Sequence, residues 1–487
     1  MNDSLDPTDW ESFRRTLHAA VDDVVDDLAR LRDEPAWRPV PDAVKTALRA
    51  PLPREGEPLE ATYAAFAETI RSYPTGNTHP RFFGWVHGAG TPAGVLAELL
   101  AAGMNANVGG REHAAVYVER QVVDWFRELF GFPMSASGIL TSGTSMGNLL
   151  AIVAAREAAL ASSGFAALGS TVRALGEARL TAYASSAVHD SVAKALRIAG
   201  LGSTTLRLIP TEPGHGMNPA ALRDQITTDR AEGNHPFLVV GTAGSVDTGA
   251  FDPLASLADL CAAEGLWLHV DGAFGALAAA SPAHAHLVDG IGRADSLAFD
   301  AHKWLHAPYA VGCVLFRDAG AHRAAFSSSP AYLARAERGA AAGAPWFADY
   351  GLELSREFRA LKVWFTLRHY GLARLGASIA RTCALATALT ERIAREPELE
   401  LLAPVPLNVV CFRYRAAGLD EAALDVLNEA IAVEVQERGD AVPSTTRIAG
   451  RRALRACIVN HRTNEQDLAV LVEAVLAAGR ALLKETT

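Results

Sequence analysis

The sequence predicts an α/β protein built around one large, mostly parallel sheet. Short apolar runs of β type recur through the middle of the chain, and Ala- and Leu-rich stretches of helical character separate several of them. Strands that crossover helices bury on both faces are expected to be short and apolar, as these runs are. We therefore predict strands at 138–141, 180–184, 205–208, 237–240, 266–270, 296–299 and 312–316, with helices at 149–160, 191–199, 219–228 and 254–264.

The N-terminal segment has a different pattern. Apolar residues recur at helical spacing through residues 8–32, and Asp9 and Glu11 lie near the start, where the helix dipole favours acidic groups. Residues 35–58 are rich in proline, which predicts an extended arm that buries little surface of its own. Such an arm is either a simple linker or a segment wrapped over a partner subunit.

The C-terminal part begins with a long helical pattern and continues as a smaller α+β unit. Its predicted elements are a helix at 372–395, a strand at 409–414, a helix at 421–437, a strand at 454–459 and a helix at 465–483. A stretch of small and polar residues at 334–345 predicts a mobile loop. The predicted division of the chain is an N-terminal helical, dimer-wrapping arm (1–85), a large domain (86–370) and a small C-terminal α+β domain (371–487).

Composition and charge limit the class of protein. The 487 residues are 49% hydrophobic and 21% charged, which is ordinary for a globular protein with a large core. A formal charge of −10 leaves no basic excess to neutralise phosphates, so we predict no nucleic-acid partner. The acidic N-terminus lacks the blocks of a secretory signal, and no uncharged apolar run is long enough to span a membrane. The five widely spaced cysteines lack metal-ligand spacing, so we predict a cytoplasmic protein without a metal site.

Two motifs with charged residues follow predicted strands. DAHKW (300–304) comes after the strand at 296–299, and a Schiff base to an aldehyde cofactor would remove the cost of burying the ammonium group of Lys303. HVDG (269–272) ends another strand, where Asp271 could pair with a protonated pyridine nitrogen. Each motif also has a simpler interpretation, namely an exposed lysine in the first and a helix cap in the second.

Two further features belong to the same predicted sheet. TSGTS (141–145) follows a strand and opens a helix, where hydroxyls and backbone N–H groups suit a phosphate, although the motif is neither a Walker loop nor GxGxxG. His189 precedes a helix and could stack on a pyridine ring. A helix cap without a ligand and a histidine facing solvent are the alternatives. Because all four features follow strands of one sheet, together they predict a single pyridoxal-phosphate (PLP) site.

The chain resembles the group II PLP-dependent decarboxylases, the family of aromatic-L-amino-acid and glutamate decarboxylases. The resemblance covers most of the chain, and the combination of HVDGA (269–273) with AHKW (301–304) is specific to this family. The other matching stretches are HPRFFGWVHG (79–88), VERQVVDWFRELFGFP (118–133), GILTSGTSMGNLLAIVAAR (138–156), VHDSVAKA (188–195), GTAGSVDTGAFDPL (241–254) and SREFRALKVWFTLRHYG (355–371).

The resemblance implies the aspartate-aminotransferase (fold type I) architecture and an obligate homodimer whose sites form at the subunit interface. It implies that Lys303 carries PLP, that Asp271 pairs with the pyridine nitrogen and that His189 stacks over the ring. His302 would lie beside the linkage to the lysine. The predicted catalytic residues are Lys303, His189, Asp271 and His302, and the predicted cofactor contacts are Gly143, Thr144, Ser145, His189, Asp271, Ser245, Asp300, His302 and Lys303.

The resemblance also suggests a substrate pocket. Trp85, Val86 and His87 lie where the family's side-chain pocket begins. Trp346 or Phe347 aligns with a tyrosine that the family carries on a mobile loop, here roughly 333–350. The aromatic and apolar character of these residues predicts an aromatic or bulky apolar L-amino acid as substrate.

Three hypotheses about activity remain open. The first is decarboxylation of the amino acid to an amine and CO₂. The second is oxidative deamination to an aldehyde, which the apparent loss of the loop tyrosine favours. The third is a PLP-binding protein without turnover, which the intact set of cofactor residues disfavours.

Overall fold

The computed structural model describes residues 4–162, 178–211, 216–327 and 335–486. Among these residues no helix combines the length and the apolar composition needed to cross a membrane. All five cysteines are buried and unpaired. The α-helices are α1 (Trp10–Arg30), α2 (Asp42–Ala47), α3 (Leu59–Thr69), α4 (Pro92–Met104), α5 (Ala114–Phe130), α6 (Thr144–Ser162), α7 (Asp190–Ile198), α8 (Pro219–Ala231), α9 (Leu254–Glu264), α10 (Ala319–Phe326), α11 (Ala360–Arg395), α12 (Glu421–Glu437) and α13 (Glu465–Thr486).

A seven-stranded sheet lies at the centre of the fold. Its strands are β1 (Ser137–Thr141), β2 (Leu180–Ser185), β3 (Leu206–Ile209), β4 (His235–Thr242), β5 (Trp267–Asp271), β6 (Ser296–Asp300) and β7 (Gly312–Phe316). Their order is β1-β7-β6-β5-β4-β2-β3, and only β7 runs antiparallel to its neighbours. This confirms the predicted α/β class with a mostly parallel sheet. Because the other strands point the same way, their carboxyl ends share one edge of the sheet.

The sequence analysis predicted a strand at each of the seven positions in this sheet. Every residue of β2, β6 and β7 is buried, which explains why the strands read as short apolar runs. The predicted ends of β5 and β6 each stop one residue short, because the last residues of these strands are Asp271 and Asp300. Two carboxyl side chains are thus built into the ends of adjacent strands, which the apolar pattern could not indicate.

A second, antiparallel sheet follows in the C-terminal part. Its strands are β8 (Leu399–Leu401), β9 (Val409–Tyr414), β10 (Ser444–Ile448) and β11 (Arg451–Cys457), in the order β10-β11-β9-β8. The sequence missed β8, which is three residues long, and β10, which is polar and half-buried. Within α11, Gly371 interrupts the helix with φ 72° and ψ 153°, at the predicted border between the large and small domains. The domain boundaries themselves stay predictions.

In the N-terminal arm, helices α1 and α3 pack against each other. The Asp9 carboxylate caps α1 by accepting the N–H groups of Glu11 and Ser12 at 2.9 and 3.0 Å. Arg71, just after α3, forms an ion pair with Asp23 of α1 at 2.7 Å. No residue of α1 is buried, and Leu17, Val21, Val24 and Val25 remain exposed in the single chain although α1 contacts α3. The prediction of a wholly extended arm at 35–58 was wrong, because α2 forms inside it.

Candidate active site

The carboxyl ends of the central strands open into a cavity of about 520 Å³. The predicted site residues that line it are Trp85, Val86, His87, Gly143, Thr144, Ser145, His189, Asp271, Asp300, His302 and Lys303. The neighbours of Ser245 line the cavity, whereas the hydroxyl of Ser245 bonds within its own turn, to Thr248 and the N–H of Ala250. The fold therefore brings the four predicted cofactor features together.

Asp300 links the lysine to the start of a helix. The Nζ atom of Lys303 lies 3.1 Å from Oδ2 of Asp300, and Oδ1 of Asp300 accepts the N–H of Thr144 at 2.7 Å. The carboxylate is almost completely buried, and the lysine side chain is only 22% exposed. This ion pair offsets part of the cost of burying the amine. The interpretation of Lys303 as an ordinary exposed lysine is therefore excluded.

The turn before α6 fits a phosphate group. The hydroxyl of Thr144 is buried and has no hydrogen-bond partner among the described residues. A Cβ atom on Gly143 would lie 3.4 Å from Oδ1 of Asp300, and one on Gly312 would lie 2.7 Å from the Cα of Gly143, so the backbone approaches closely here. An unsatisfied buried hydroxyl beside a helix N-terminus is the kind of donor that a phosphate oxygen would satisfy.

Asp271 presents a buried carboxylate at the end of β5. Its Oδ2 accepts Nδ2 of Asn148 at 2.9 Å, and its Oδ1 accepts the N–H of Ala273 at 3.2 Å. Burial raises the pKa of Asp271 above its ordinary value. In the described part of the chain no arginine or lysine forms an ion pair with this carboxylate. A protonated pyridine nitrogen would supply the missing cation, so the residue fits the cofactor as predicted.

His189 both caps a helix and lines the cavity. Its Nδ1 accepts the N–H of Ser191 at 3.1 Å at the start of α7, and the hydroxyl of Ser191 lies 2.8 Å from the same nitrogen. The alternative interpretation, a residue at a helix start that faces solvent, describes its position in the single chain, where His189 is exposed. The cap fixes the ring at the mouth of the cavity, where it can cover a flat ligand.

The rings of His302 and Tyr309 pack against each other in the cavity. Their centroids lie 4.2 Å apart, and Nδ1 of His302 accepts the N–H of Val311 at 3.1 Å. Burial lowers the pKa of His302 and raises the pKa of Tyr309 to about 12. Near neutral pH the imidazole is therefore neutral and the phenol keeps its proton.

Aromatic rings surround one side of the cavity. The His87 ring stacks on Phe82 and on Trp85, each with 5.8 Å between centroids, and it meets the edge of Tyr309 at 5.9 Å. Burial lowers the pKa of His87, and the charge of Lys303 lowers it further. This side of the cavity can therefore receive a flat apolar group.

The structure places Trp346 and Phe347 outside the cavity. Trp346 is buried, donates its indole N–H to the carbonyl of Ala342 at 2.9 Å and packs on Gly110. Phe347 is buried under the guanidinium of Arg356. In the single chain both residues are buried away from the cavity, and their assignment to a substrate pocket formed at a subunit interface stays a prediction. Residues 328–334, which include the start of the predicted loop, lie outside the described residues.

Sequence reasoning missed several polar residues in or behind the cavity: Asn148, Ser191, His269, Tyr309 and Arg455. Arg455 on β11 is buried, and its Nε has no hydrogen-bond partner among the described residues. The signal that could have found Arg455 and His269 is a polar residue inside an otherwise apolar strand. Asn148 gave no such signal, since a polar residue near the start of a helix is common.

Comparison with known proteins agrees with this site. The pyridoxal-dependent decarboxylase conserved domain matches residues 41–415. An aromatic-L-amino-acid decarboxylase of Bacillus atrophaeus is 33% identical over 475 residues, which is 96% of this chain and 95% of that relative. A phenylacetaldehyde synthase of Petunia hybrida is 30% identical over 476 residues, covering 93% and 91% of the two chains.

A solved structure is also similar over the whole chain. The crystal structure of Oryza sativa TDC with PLP and tryptamine has a TM-score of 0.89 and 28% identity, covering 98% of this chain and 100% of that one. The cavity holds the donors that PLP needs, and the match to the family domain spans most of the sequence. The chain belongs to the pyridoxal-dependent decarboxylase family and is a PLP-dependent carboxy-lyase of fold type I.

Proposed function

We propose that this protein decarboxylates an aromatic L-amino acid and releases the corresponding amine and CO₂. The observation that carries the proposal is the aromatic side of the cavity, where Phe82, Trp85 and Tyr309 surround His87 in the same space as Lys303. The similarity to an aromatic-L-amino-acid decarboxylase and to a structure containing tryptamine supports an aromatic substrate.

We assign the cofactor contacts as follows. Lys303 binds the aldehyde carbon of PLP, Thr144 and Ser145 at the start of α6 hold its phosphate, Asp271 pairs with the ring nitrogen and His189 covers the ring. The bound cofactor supplies a protonated ring that accepts the electron pair left on the α-carbon when CO₂ departs. The pairing of Asp271 with the nitrogen is supported by its burial without a cation.

The remaining roles in the proposed reaction belong to side chains of the protein. Asp300 forms an ion pair with Nζ of Lys303 at 3.1 Å and so fixes its position, and the neutral His302 lies beside the same carboxylate at 3.7 Å. Arg455 is the cation that can attract the substrate carboxylate, since its Nε has no hydrogen-bond partner in the described chain. The phenol of Tyr309 keeps its proton and lies against the rings of His302 and His87 on the aromatic side of the cavity.

The proposal is tested by aerobic incubation of the PLP-loaded enzyme with L-tryptophan, L-tyrosine, L-phenylalanine and L-glutamate. We expect amine and CO₂ in equal amounts from at least one aromatic amino acid and none from glutamate. Amine, aldehyde, CO₂ and oxygen are measured together. Turnover of glutamate in preference to all three aromatic substrates would contradict the proposal.

The second candidate is oxidative conversion of the same substrate to an aldehyde. Two observations favour it: Trp346 or Phe347 aligns with the family's loop tyrosine, and a phenylacetaldehyde synthase is among the relatives. The same incubation separates the two reactions. Aldehyde formed with matched oxygen uptake would establish the second candidate in place of the first.

We further propose a cytoplasmic homodimer. Leu96, Leu100 and Met104 form a stripe along α4 at four-residue spacing, and all three are exposed in the single chain. The exposed apolar residues of α1 add a second apolar surface. Five buried, unpaired cysteines fit a reducing compartment.

Replacing Leu100 with glutamate is expected to shift the protein from dimer to monomer in sedimentation velocity, because the charge would be desolvated in the interface. The matched control is Val426→Glu, at an exposed apolar residue on α12. A wild-type protein that sediments as a monomer would refute the dimer, and a Leu100→Glu variant that remains a dimer would refute α4 as part of the interface.

A further inference from the structure

A chain of buried polar side chains lies behind Asp271. Trp267, His269 and Asp271 alternate along β5, so their side chains point to the same face of the sheet. Helix α6 lies on this face and contributes Asn148, which contacts both His269 and Asp271. Both Asn148 and His269 are completely buried. Neither residue has a part in the function proposed above.

The contacts along this chain are short and continuous. The indole N–H of Trp267 donates to Oγ of Ser296 at 2.8 Å, and Oγ of Ser296 lies 2.9 Å from Nδ1 of His269. Nε2 of His269 lies 2.9 Å from Oδ1 of Asn148. Nδ2 of Asn148 then donates to Oδ2 of Asp271 at 2.9 Å.

The chemistry of the donors and acceptors determines which atom donates in each of these hydrogen bonds. The Asp271 carboxylate accepts, so the amide of Asn148 must present Nδ2 to it and Oδ1 to His269. Burial lowers the pKa of His269 to about 3, so the imidazole is neutral and carries one proton. That proton is on Nε2, because Oδ1 of Asn148 can only accept. Nδ1 of His269 therefore accepts from the hydroxyl of Ser296.

The second N–H of the Asn148 amide begins a series of hydrogen bonds to His189, on the other side of the cofactor site. It donates to Oγ of Ser191 at 3.0 Å, which leaves the hydroxyl proton of Ser191 to bond Nδ1 of His189 at 2.8 Å. All three hydrogen-bonding atoms of the Asn148 amide are thus used. One side chain connects the carboxylate at the cavity floor with the imidazole at its mouth.

We propose that Asn148, oriented by a neutral His269, is a positioning residue that holds Asp271 against the pyridine nitrogen of PLP and holds His189 in register with it. The proposal rests on the assignment of Asp271 and His189 made above. Without Asn148 the carboxylate would retain only the N–H of Ala273 and could rotate. Aligned donors also favour the ionised carboxylate, which strengthens its pairing with a protonated ring.

The test compares two cofactors in equilibrium binding to the full-length apoenzyme. One is PLP, and the other is 1-deaza-PLP, in which a C–H group replaces the ring nitrogen and cannot pair with Asp271. For Asn148→Ala we expect the dissociation constant of PLP to rise about tenfold, the size expected when a hydrogen bond to a charged group is lost. The dissociation constant of 1-deaza-PLP should change less than about twofold, because the ring nitrogen is absent.

Two variants of His269 form the matched pair. His269→Gln can place an amide N–H near the position of Nε2 and should bind PLP almost as the wild type does. His269→Leu removes that donor and should resemble Asn148→Ala. Thermal melting of each apoenzyme reports on the fold, and Asn148→Ser, which is too short to reach both acceptors, replaces Asn148→Ala if the latter does not fold.

The possible outcomes distinguish a failure of this inference from a failure of the proposed function. Equal weakening of both cofactors in Asn148→Ala would mean a merely structural role and would overturn the inference. Unchanged PLP binding in both Asn148→Ala and His269→Leu would overturn it as well. If the wild type bound PLP and 1-deaza-PLP equally, the pairing of Asp271 with the ring nitrogen would itself be wrong, which is a failure of the proposed function.

Discussion

Replacing Lys303 with alanine is expected to abolish the visible absorption of covalently bound PLP and to reduce kcat/KM by about 10⁴-fold or more. The physical reason is that Lys303 is the amine in the cavity that can bind the aldehyde, and its Nζ is held at 3.1 Å by Asp300. The far-UV spectrum and the melting temperature should remain close to those of the wild type. Absorption spectra of the dialysed protein and steady-state kinetics check the prediction.

The control for Lys303→Ala must address the reaction of PLP with surface amines. Lys194 on α7 is 57% exposed and lies 3.8 Å from the Asp190 carboxylate, so it is a suitable exposed lysine outside the cavity. Lys194→Ala should keep the absorption and the activity of the wild type. If Lys303→Ala retained both after dialysis, the assignment of this lysine would be wrong.

Replacing Asp271 with asparagine is expected to leave PLP attached to the protein but to lower kcat by about 10² to 10³-fold. Asparagine has nearly the same shape as aspartate and lacks the negative charge that keeps the ring nitrogen protonated. The effect should therefore appear in kcat more than in the KM for the amino acid. Single-turnover kinetics with the aromatic substrate and the absorption spectrum of the bound cofactor measure the two parts separately.

A matched control for Asp271→Asn is another buried carboxylate away from the cavity. Asp229 is buried and pairs with Arg207 at 2.9 Å, near the edge of the central sheet. Asp229→Asn should lower the melting temperature, because it weakens a buried ion pair, and should leave kcat within about twofold of the wild type, because Asp229 does not line the cavity. Equal losses of kcat in the two variants would indicate a general effect of buried charge and would contradict the role of Asp271.

Much of the fold followed from the sequence because alternation of apolar runs with helical stretches is a local signal. The direction of a strand is not local, so nothing in GCVLF predicted that β7 runs against its neighbours. The sequence analysis missed β10 for a related reason, because four of its five residues are polar and only its two end residues are buried. Long apolar strands are easy to recognise, whereas short polar strands depend on the partner that pairs with them.

The residues of the candidate site also divide into those that a local sequence pattern predicts and those that it does not. Lys303, Asp271 and the turn at 141–145 are predictable because each combines an unusual residue with the end of a strand. Asn148 and His269 are not predictable as a pair, since they meet only where α6 crosses β5. Trp346 illustrates a different limit, since an aromatic residue in a loop gives the same sequence signal whether it packs in the core, as it does in the single chain, or faces a ligand.

Trp85 and Arg455, which line the cavity beside the proposed cofactor residues, come from other parts of the chain. The proposed cofactor residues follow the strands of the central sheet, and Tyr309 shares the connection after β6 with Lys303, whereas Trp85 precedes α4 and Arg455 comes from the second sheet. Evolution can therefore alter specificity at Trp85 and Arg455 without changing the residues proposed to hold the cofactor. A single cofactor cradle can in this way serve many amino acids, and new specificities can arise by changes confined to those two peripheral segments.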